Sequence, residues 1–338
     1  MKRKQILFTE PGKAEFILDR EVADLADDEA LVKTEYSAVS AGTEYANIMG
    51  SQNLPGGNKF PRAVGYSSVG YIVKVGKDVK KYKVGDHVLV YHGCHTNYNK
   101  VKENKMMLVP EGMDPKQASL VIIAAMGMGG VRKLNIELGE SAMIIGLGLL
   151  GMFSVEFAKL SGAYPVIVSD FSEERRQVAL KVGADYALDP AAPDYIEQVK
   201  KLTGGKGVNA IVEVTGSGRA LEQALKFVAP MGRISLLGCT RVSDLQIDYY
   251  QEVHRPGVKL IGAHNFVRPK VESYPGHWTM HDDCVCIMNL TVGGRVDIES
   301  IIHEVHTPDE APEVFDRLVK DHKNFPLGVL FDWTNVED

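Results

Sequence analysis

Cysteine is scarce in this 338-residue sequence: there are four, at positions 94, 239, 284 and 286, and none stand as a C-x-x-C pair. That spacing offers no disulfide framework, and free thiols in a reducing cytoplasm are the expected state. No apolar run approaches the length of a membrane span. The opening Met1-Lys-Arg-Lys-Gln-Ile-Leu-Phe8 has basic residues but not the long apolar segment of a signal peptide, and reads as a first strand. Net positive charge is also lacking. A formal charge of -6 argues against a nucleic-acid or anionic-membrane surface. Internal repeats and low-complexity tracts are absent. What remains is ordinary globular material, 45% apolar and 24% charged, long enough for roughly two domains.

The informative stretch is Ser141-Ala-Met-Ile-Ile-Gly-Leu-Gly-Leu-Leu-Gly151, followed by a helical segment and Pro165-Val-Ile-Val-Ser-Asp170. It predicts a strand, a glycine turn, a helix and a second strand tipped by an acid. Gly146, Gly148 and Gly151 form G-x-G-x-x-G. Gly146 suits the positive φ of a tight turn, Gly148 lets a pyrophosphate approach the backbone, and Gly151 lets the helix pack closely on the strand. The N–H groups of the helix start, around Leu149 and Leu150, and the positive end of its dipole face the phosphates. Asp170 lies 19 residues beyond Gly151, near the spacing at which an acid holds the adenosine ribose. A carboxylate there repels a 2′-phosphate, which favours NAD over NADP. Arg175 and Arg176 follow closely, either as solvated helix charges or with one reaching the adenosine ribose.

Residues 1–120 read as short alternating strands separated by glycine turns, including 30–36, 70–75, 87–91 and 107–112. Such strands without intervening helices suggest a small antiparallel barrel. From about 115 the period changes. Asp114 caps a helix with Pro115 at its first position, and a second helix is expected over 129–134. Strands at 142–146, 165–170, 184–188, 209–214, 232–238 and 258–262 then alternate with helices, which predicts an α/β fold with a doubly wound parallel sheet. The tail, 265–338, mixes two helices and two strands and is assigned back to the first domain. The expected division is therefore 1–120 with 265–338, and 121–264.

Several further motifs converge. Ala41-Gly-Thr-Glu44, Gly65-Tyr-Ser-Ser-Val-Gly70, Val84-Gly-Asp-His-Val88, Lys181-Val-Gly-Ala-Asp185, Val214-Thr-Gly216 and Gly232-Arg-Ile-Ser-Leu-Leu-Gly-like runs ending at Gly238 accompany the fingerprint. With them the chain resembles the medium-chain dehydrogenase/reductase superfamily over essentially its whole length. The resemblance implies a GroES-like β-barrel catalytic domain, a Rossmann domain, an active site in the cleft between them, and a homodimer or homotetramer. Gly129-Gly-Val-Arg-Lys133, Tyr274-Pro-Gly-His-Trp278, Gly293-Gly-Arg295 and the closing Gly328-Val-Leu-Phe-Asp-Trp333 are similar to bacterial dehydrogenases of sugars, glycosides or polyols. Ser-Ala-Gly-Thr-Glu is similar also to members acting on a hydroxyethyl side chain of a bacteriochlorophyll precursor.

The departures bear on chemistry. The family's catalytic zinc needs three protein ligands. Its cysteine position is Ala41 here, its histidine position Tyr66 and the adjoining glutamate Ser67. The helix 119–128 offers no Cys, His, Asp or Glu, and the four-cysteine structural-zinc loop is missing. No zinc is expected, and a rearranged site of His92, Cys94 and His95 is the alternative. A metal-free oxidation needs a positioned base or relay. Thr43 matches the family position whose hydroxyl bonds the substrate oxygen; otherwise it is a turn residue. Tyr66 either bonds the substrate oxygen or plugs the vacant metal position. Glu44 orients Thr43, holds a substrate hydroxyl or forms a structural pair. His92 and His95 are the candidate bases, with His92 and Cys94 on one face if the strand continues. The cluster His277, Trp278, His281, Asp282 and Asp283 suits a sugar or is a helix-start acid cluster.

On the coenzyme side, Thr215, Gly216 and Gly238 end strands of the parallel sheet, where such sheets bind ligands. The resemblance places them beside the ribose and nicotinamide, with His264 toward the nicotinamide. The leading expectation is a zinc-independent, NAD-dependent dehydrogenase of a small-molecule sugar or polyol. A quinone or enoyl reductase using NADPH and a non-catalytic coenzyme-binding protein are the alternatives.

Overall fold

The computed structural model describes residues 1–54, 56–243 and 245–336. It divides into two compact units, Met1–Ile123 with Cys284–Asp338, and Ala124–Asp283. The segment 265–283, expected with the first domain, thus belongs to the second unit.

In the first unit, β1 (Lys2–Glu10), β2 (Lys13–Glu21) and β4 (Arg62–Ala63) form a small antiparallel sheet in the order β2-β1-β4. The larger sheet contains β3 (Glu29–Ala38), β5 (Ser67–Val75), β6 (His87–Tyr91), β7 (Tyr98–Lys102), β8 (Met106–Leu108), β15 (Ile302–His306) and β16 (Gly328–Asp332). Its path runs β15-β16-β3-β5-β6-β8, with β7 also on β3. The tail strands therefore extend a sheet begun more than 260 residues earlier: β16 pairs with β3 at Leu330↔Ala38 and Asp332↔Tyr36. Helix α1 (Ala41–Ile48) follows β3 directly. Helix α8 (Ala311–Lys320) turns Val314, Phe315 and Leu318 inward and Glu313, Arg317 and Lys320 to solvent. Its apolar face joins a core with Ile6, Phe8, Phe331 and Trp333.

In the second unit, β9 (Ala142–Ile145), β10 (Val166–Ser169), β11 (Tyr186–Leu188), β12 (Val208–Glu213), β13 (Val228–Leu236) and β14 (Lys259–Gly262) form a parallel sheet. Among the described residues its order is β11-β10-β9-β12-β13-β14, the doubly wound dinucleotide-binding order. All four residues of β9 and of β10 are buried, as strands covered on both faces must be. Helices α3 (Leu149–Leu160), α4 (Glu173–Val182), α5 (Tyr195–Leu202) and α6 (Gly218–Leu225) supply the crossovers.

Two local expectations need correction. The helix at Pro115 does not stop before a second one at 129. A single helix, α2 (Pro115–Arg132), runs through Gly127, Gly129 and Gly130. Glycine weakens a helix without breaking it, and Asp114 caps this one by accepting from Lys116 N at 2.8 Å. The strand ending at Tyr91 does not continue through Cys94. His92 takes φ 59° and the chain turns, so alternation of faces does not apply to 92–95. Among the described residues, no helix is long and apolar enough to cross a membrane.

Candidate active site

The first unit gathers a hydroxyl cluster at the start of α1. Tyr66 Oη donates to Ser40 Oγ at 2.7 Å, and the Thr43 hydroxyl also hydrogen-bonds the phenol. Burial pushes the Tyr66 pKa well above the ordinary tyrosine value. The Glu44 carboxylate adds to that shift, while the bonds to Ser40 and Thr43 oppose it. Tyr66 is thus a neutral donor at physiological pH and not a free base. Thr43 itself is exposed.

Behind this cluster lies a buried chain of polar groups. Glu44 is 1% exposed and His95 0%. His95 Nε2 meets Glu44 Oε1 at 3.1 Å, and His95 Nδ1 meets Ser37 Oγ at 2.7 Å. Trp333 Nε1 donates to the same Ser37 oxygen at 2.8 Å. Nε2–H donating to the carboxylate and Ser37 donating to Nδ1 satisfy the ring on both sides. Glu44 Oε1 also accepts from Ser40 N at 3.3 Å. Its Oε2 is buried and has no hydrogen-bond partner among the described residues. Glu44 is therefore a buried acceptor with unused capacity, one residue from Thr43. His95 sits against Phe331 and Phe315 and supports Glu44 from inside the core; it reaches no surface.

His92 lies apart from that chain. Its ring is exposed, tilted against Tyr91 at 4.0 Å and 6.4 Å from Tyr66. Packing around the ring lowers its pKa, and Lys105 lowers it further. The rearranged zinc set does not assemble. Both His95 nitrogens are engaged, and burial raises the Cys94 thiol away from the thiolate that metals require. At the family's own zinc positions, Ala41 has no donor, Tyr66 is a neutral phenol, and Ser67 Oγ donates to the Ser119 carbonyl. Among the described residues no three His, Cys, Asp or Glu side chains come together to hold a metal. These residues do not fit a catalytic zinc.

The second unit builds the glycine turn. Gly146 has φ 94°, and a Cβ there would lie 2.7 Å from Thr215 Cγ2. At Gly151 a Cβ would lie 1.9 Å from the Gly146 carbonyl oxygen, so only glycine lets α3 sit this close to β9. At Gly148 no described atom lies within 4 Å of the added carbon, which leaves its approach open. Gly148 is the N-cap of α3 and offers no capping side chain, so the N–H groups around Leu149 and Leu150 face outward. Asp170 Oδ2 accepts from Leu147 N at 2.7 Å, and Oδ1 from Ser172 N at 2.8 Å. The carboxylate fixes the turn from the tip of β10 and keeps acceptor capacity for a ribose hydroxyl. Arg176 is spent on the carbonyls of Asp170 and Phe171. Arg175 N is accepted by the Ser172 hydroxyl at 3.3 Å in the first turn of α4. This cradle fits a dinucleotide.

Glu213 was not singled out from sequence. It is 2% exposed at the end of β12 and accepts from Thr215 N at 2.7 Å, from the Thr215 hydroxyl, and from Gly216 N at 3.1 Å. Burial raises its pKa, and those bonds oppose the shift. It holds Thr215 and Gly216 in place. Gly216 has φ 67°, and a Cβ at Gly238 would lie 2.2 Å from Gly216 N, so the two strand ends pack backbone to backbone. His264 is exposed after β14 and accepts from Phe266 N at 3.3 Å. The expected sugar-facing acids are committed elsewhere. Asp282 accepts from the Ser273 hydroxyl and from Thr279 Oγ1 at 2.9 Å, and Asp283 pairs with Arg132 and Arg268.

Two family models match the chain: the alcohol dehydrogenase GroES-like domain over residues 26–136, and the zinc-binding dehydrogenase over residues 150–273. D-guloside 3-dehydrogenase of Escherichia coli (strain K12) is 28% identical over 352 residues, covering 97% of this chain and 100% of that protein. L-threonine 3-dehydrogenase of Thermococcus kodakarensis is 32% identical over 266 residues, covering 70% and 75%. A solved oxidoreductase/dehydrogenase of unknown specificity from Escherichia coli matches with a TM-score of 0.85 at 21% identity, over 98% of this chain and 99% of that one.

Proposed function

The chain belongs to the medium-chain dehydrogenase/reductase family and is a dehydrogenase acting on hydroxyl groups, and from that premise we propose that it oxidises a secondary hydroxyl of a sugar, glycoside or polyol with NAD and without zinc. One observation carries the reading. The family's metal positions hold Ala41, Tyr66 and Ser67, and Tyr66 instead joins the Ser40–Thr43 hydroxyl cluster beside the buried Glu44. The relative named for a guloside supports a sugar substrate.

The nicotinamide coenzyme, when bound, accepts the hydride from the carbinol carbon. The chain's own residues handle the proton and the positions. Thr43 and Tyr66 hydrogen-bond the substrate oxygen. Threonine is far too weak a base to keep the proton, so Thr43 passes it inward toward the buried carboxylate of the adjoining residue, Glu44. His95 is a positioning residue that holds Glu44. His92 is the competing terminal base. On the other unit, Gly148, Leu149, Leu150 and Gly151 present backbone N–H groups to the pyrophosphate, while Gly146, whose own N–H goes to the Ser169 carbonyl, makes the turn that positions them. Asp170 accepts from the adenosine ribose with Arg175 beside it, and Thr215, Gly216, Gly238 and His264 line the nicotinamide half. Commitment of Arg176 to backbone carbonyls supports NAD over NADP, because it removes one cation that a 2′-phosphate would use. Strand β14 is an edge of its sheet, which supports a homodimer or homotetramer paired there. A cytoplasmic setting accords with a chain of only four scattered cysteines and no C-x-x-C pair.

The test is NADH formation by chelator-treated, metal-assayed protein over sugars, glycosides and polyols. Turnover without bound zinc is expected. Zinc that co-purifies and whose removal abolishes turnover sinks the metal-free mechanism. Activity confined to NADPH and a quinone sinks the substrate class as well.

A further inference from the structure

Gly129 and Gly130 lie inside α2, where glycine is a poorer helix former than alanine. A Cβ at Gly129 would lie 2.3 Å from Arg268 Nη2, and one at Gly130 would lie 2.9 Å from Leu237. Gly129 thus clears space for a guanidinium crossing the helix. Arg268 donates there to the Ala125 carbonyl at 3.0 Å and to Asp283 Oδ2 at 3.0 Å. Arg132 donates through Nε to Asp283 Oδ1 at 2.6 Å and stacks over Trp278 at 3.9 Å. Asp283 is 1% exposed; its burial raises its pKa and the two guanidinium groups oppose that shift.

These groups line a small open cleft beyond the end of β14, with Lys133, His264 and His277 on its wall. Its charge does not balance. Asp283 is matched by two guanidinium groups, and Lys133 adds a third cation. The C-terminal end of α2 offsets only about half a charge. Lys133 is half-buried and has no hydrogen-bond or ion-pair partner among the described residues. Burial lowers its pKa, and Arg268 lowers it further. An ammonium that feels the Arg268 guanidinium and is stripped of part of its water is costly unless an anion joins it.

We propose that this pocket binds a carboxylate or phosphate group of the hydroxyl substrate, with Lys133 and Arg132 as its donors. The inference rests on the dehydrogenase reading above and narrows its substrate to an anionic sugar or polyol derivative. The anion is not a coenzyme 2′-phosphate. Asp170 ends β10, which lies four strand spacings from β14, roughly 19 Å across the sheet. Trp278 gives the pocket a reporter, since the chain's other tryptophan, Trp333, is fully buried in the first unit.

Two measurements test it. The first is titration with inorganic phosphate at ionic strength held constant with chloride, followed by Trp278 fluorescence and by Tm. Phosphate is expected to raise Tm and to change the fluorescence. Lys133→Gln weakens phosphate binding at least about tenfold, and Lys133→Arg restores it. In phosphate-free buffer Lys133→Gln raises Tm, because a repelling cation is gone; a drop in Tm there, with phosphate binding intact, assigns Lys133 a structural role and overturns the proposal. The second compares kcat/KM for sorbitol 6-phosphate and gluconate with that for sorbitol. A preference of at least about tenfold for the anions, lost in Lys133→Gln through KM, is expected. Equal turnover of all three refutes the anion pocket and leaves the dehydrogenase reading standing. Lys133-dependent phosphate binding, with no hydroxyl compound reducing NAD, upholds the pocket and refutes that reading.

Discussion

The turn from Gly146 to Gly151 and the cluster around Tyr66 differ in how far along the chain their partners lie. In the turn, the contact that demands glycine at position 151 is the carbonyl oxygen of Gly146, five residues back. Around Tyr66, Ser40 is 26 residues away, His95 reaches Ser37 across 58, and Trp333 reaches Ser37 across 296. The turn is a local solution that any chain of this pattern adopts. The cluster exists only because β3, α1, β5 and β16 are brought together by a sheet.

The largest effect is expected inside the turn. Gly151→Ala places a carbon 1.9 Å from a backbone oxygen that has no room to yield. It should cost at least about 3 kcal/mol and abolish coenzyme binding, read as a fall in Tm and a flat NAD titration. Gly148→Ala sharpens the point. With φ -69° and open space around the added carbon, it should leave stability within about 0.5 kcal/mol and weaken only NAD. Equal damage from both would mean that the turn is not specialised for close approach at Gly148.

Next in size is the hydroxyl cluster. Tyr66→Phe and Thr43→Ala should each lower kcat by about 10²–10⁴ while the Kd for NAD stays unchanged, since neither residue belongs to the coenzyme cradle. Unchanged kcat in both would reduce Tyr66 to a filler of the metal position, the structural alternative already visible from sequence.

Legibility follows the same division. The six parallel strands, the acid at 170 and the three glycines are readable because period, turn sterics and spacing are local properties. Tyr66 and Thr43 could be picked out only by resemblance to a family pattern, and the bond from Tyr66 to Ser40 is not legible even where the motif containing Ser40 is. His95 reads from sequence only as a candidate base, and its burial behind Glu44 is not legible because alternation from β6 does not continue past Tyr91. A positive φ at His92 ended that alternation, and histidine gives no local warning of it. Glu213 was equally silent: an acid ending a strand signals nothing until the next three residues fold back onto it. That one helix runs through Gly129 and Gly130, and not two, is not legible from sequence, because the tertiary reason for Gly129, the path of Arg268, lies 139 residues further on.

A smaller effect is expected from the buried chain behind the cluster. His95→Ala leaves Glu44 and Ser37 without their shared partner in a core where water does not reach. About 2 kcal/mol of stability should be lost, measured by urea unfolding. If His95 acts by holding Glu44, kcat should fall while KM for the substrate holds. A loss of stability with kcat intact would confine His95 to packing.

The smallest effect separates the two candidate ends of the proton path. The His92 pKa lies below its ordinary 6.5, so between the folded and unfolded values the unfolded chain binds more protons at this site. Stability should therefore rise as pH rises through that window, by an amount kept small because the ring is exposed, and Gln at position 92 should erase the slope. The kinetic consequence is the more useful one. If His92 takes the substrate proton, kcat/KM declines on the acid side below pH 6.5, and His92→Gln removes that limb along with most of the activity. If the limb and the activity survive in His92→Gln but fall in Glu44→Gln, the proton travels inward from Thr43. The two regions then differ in one more respect: the coenzyme is held by backbone at the surface of a turn, and the proton is taken by a carboxylate buried behind one.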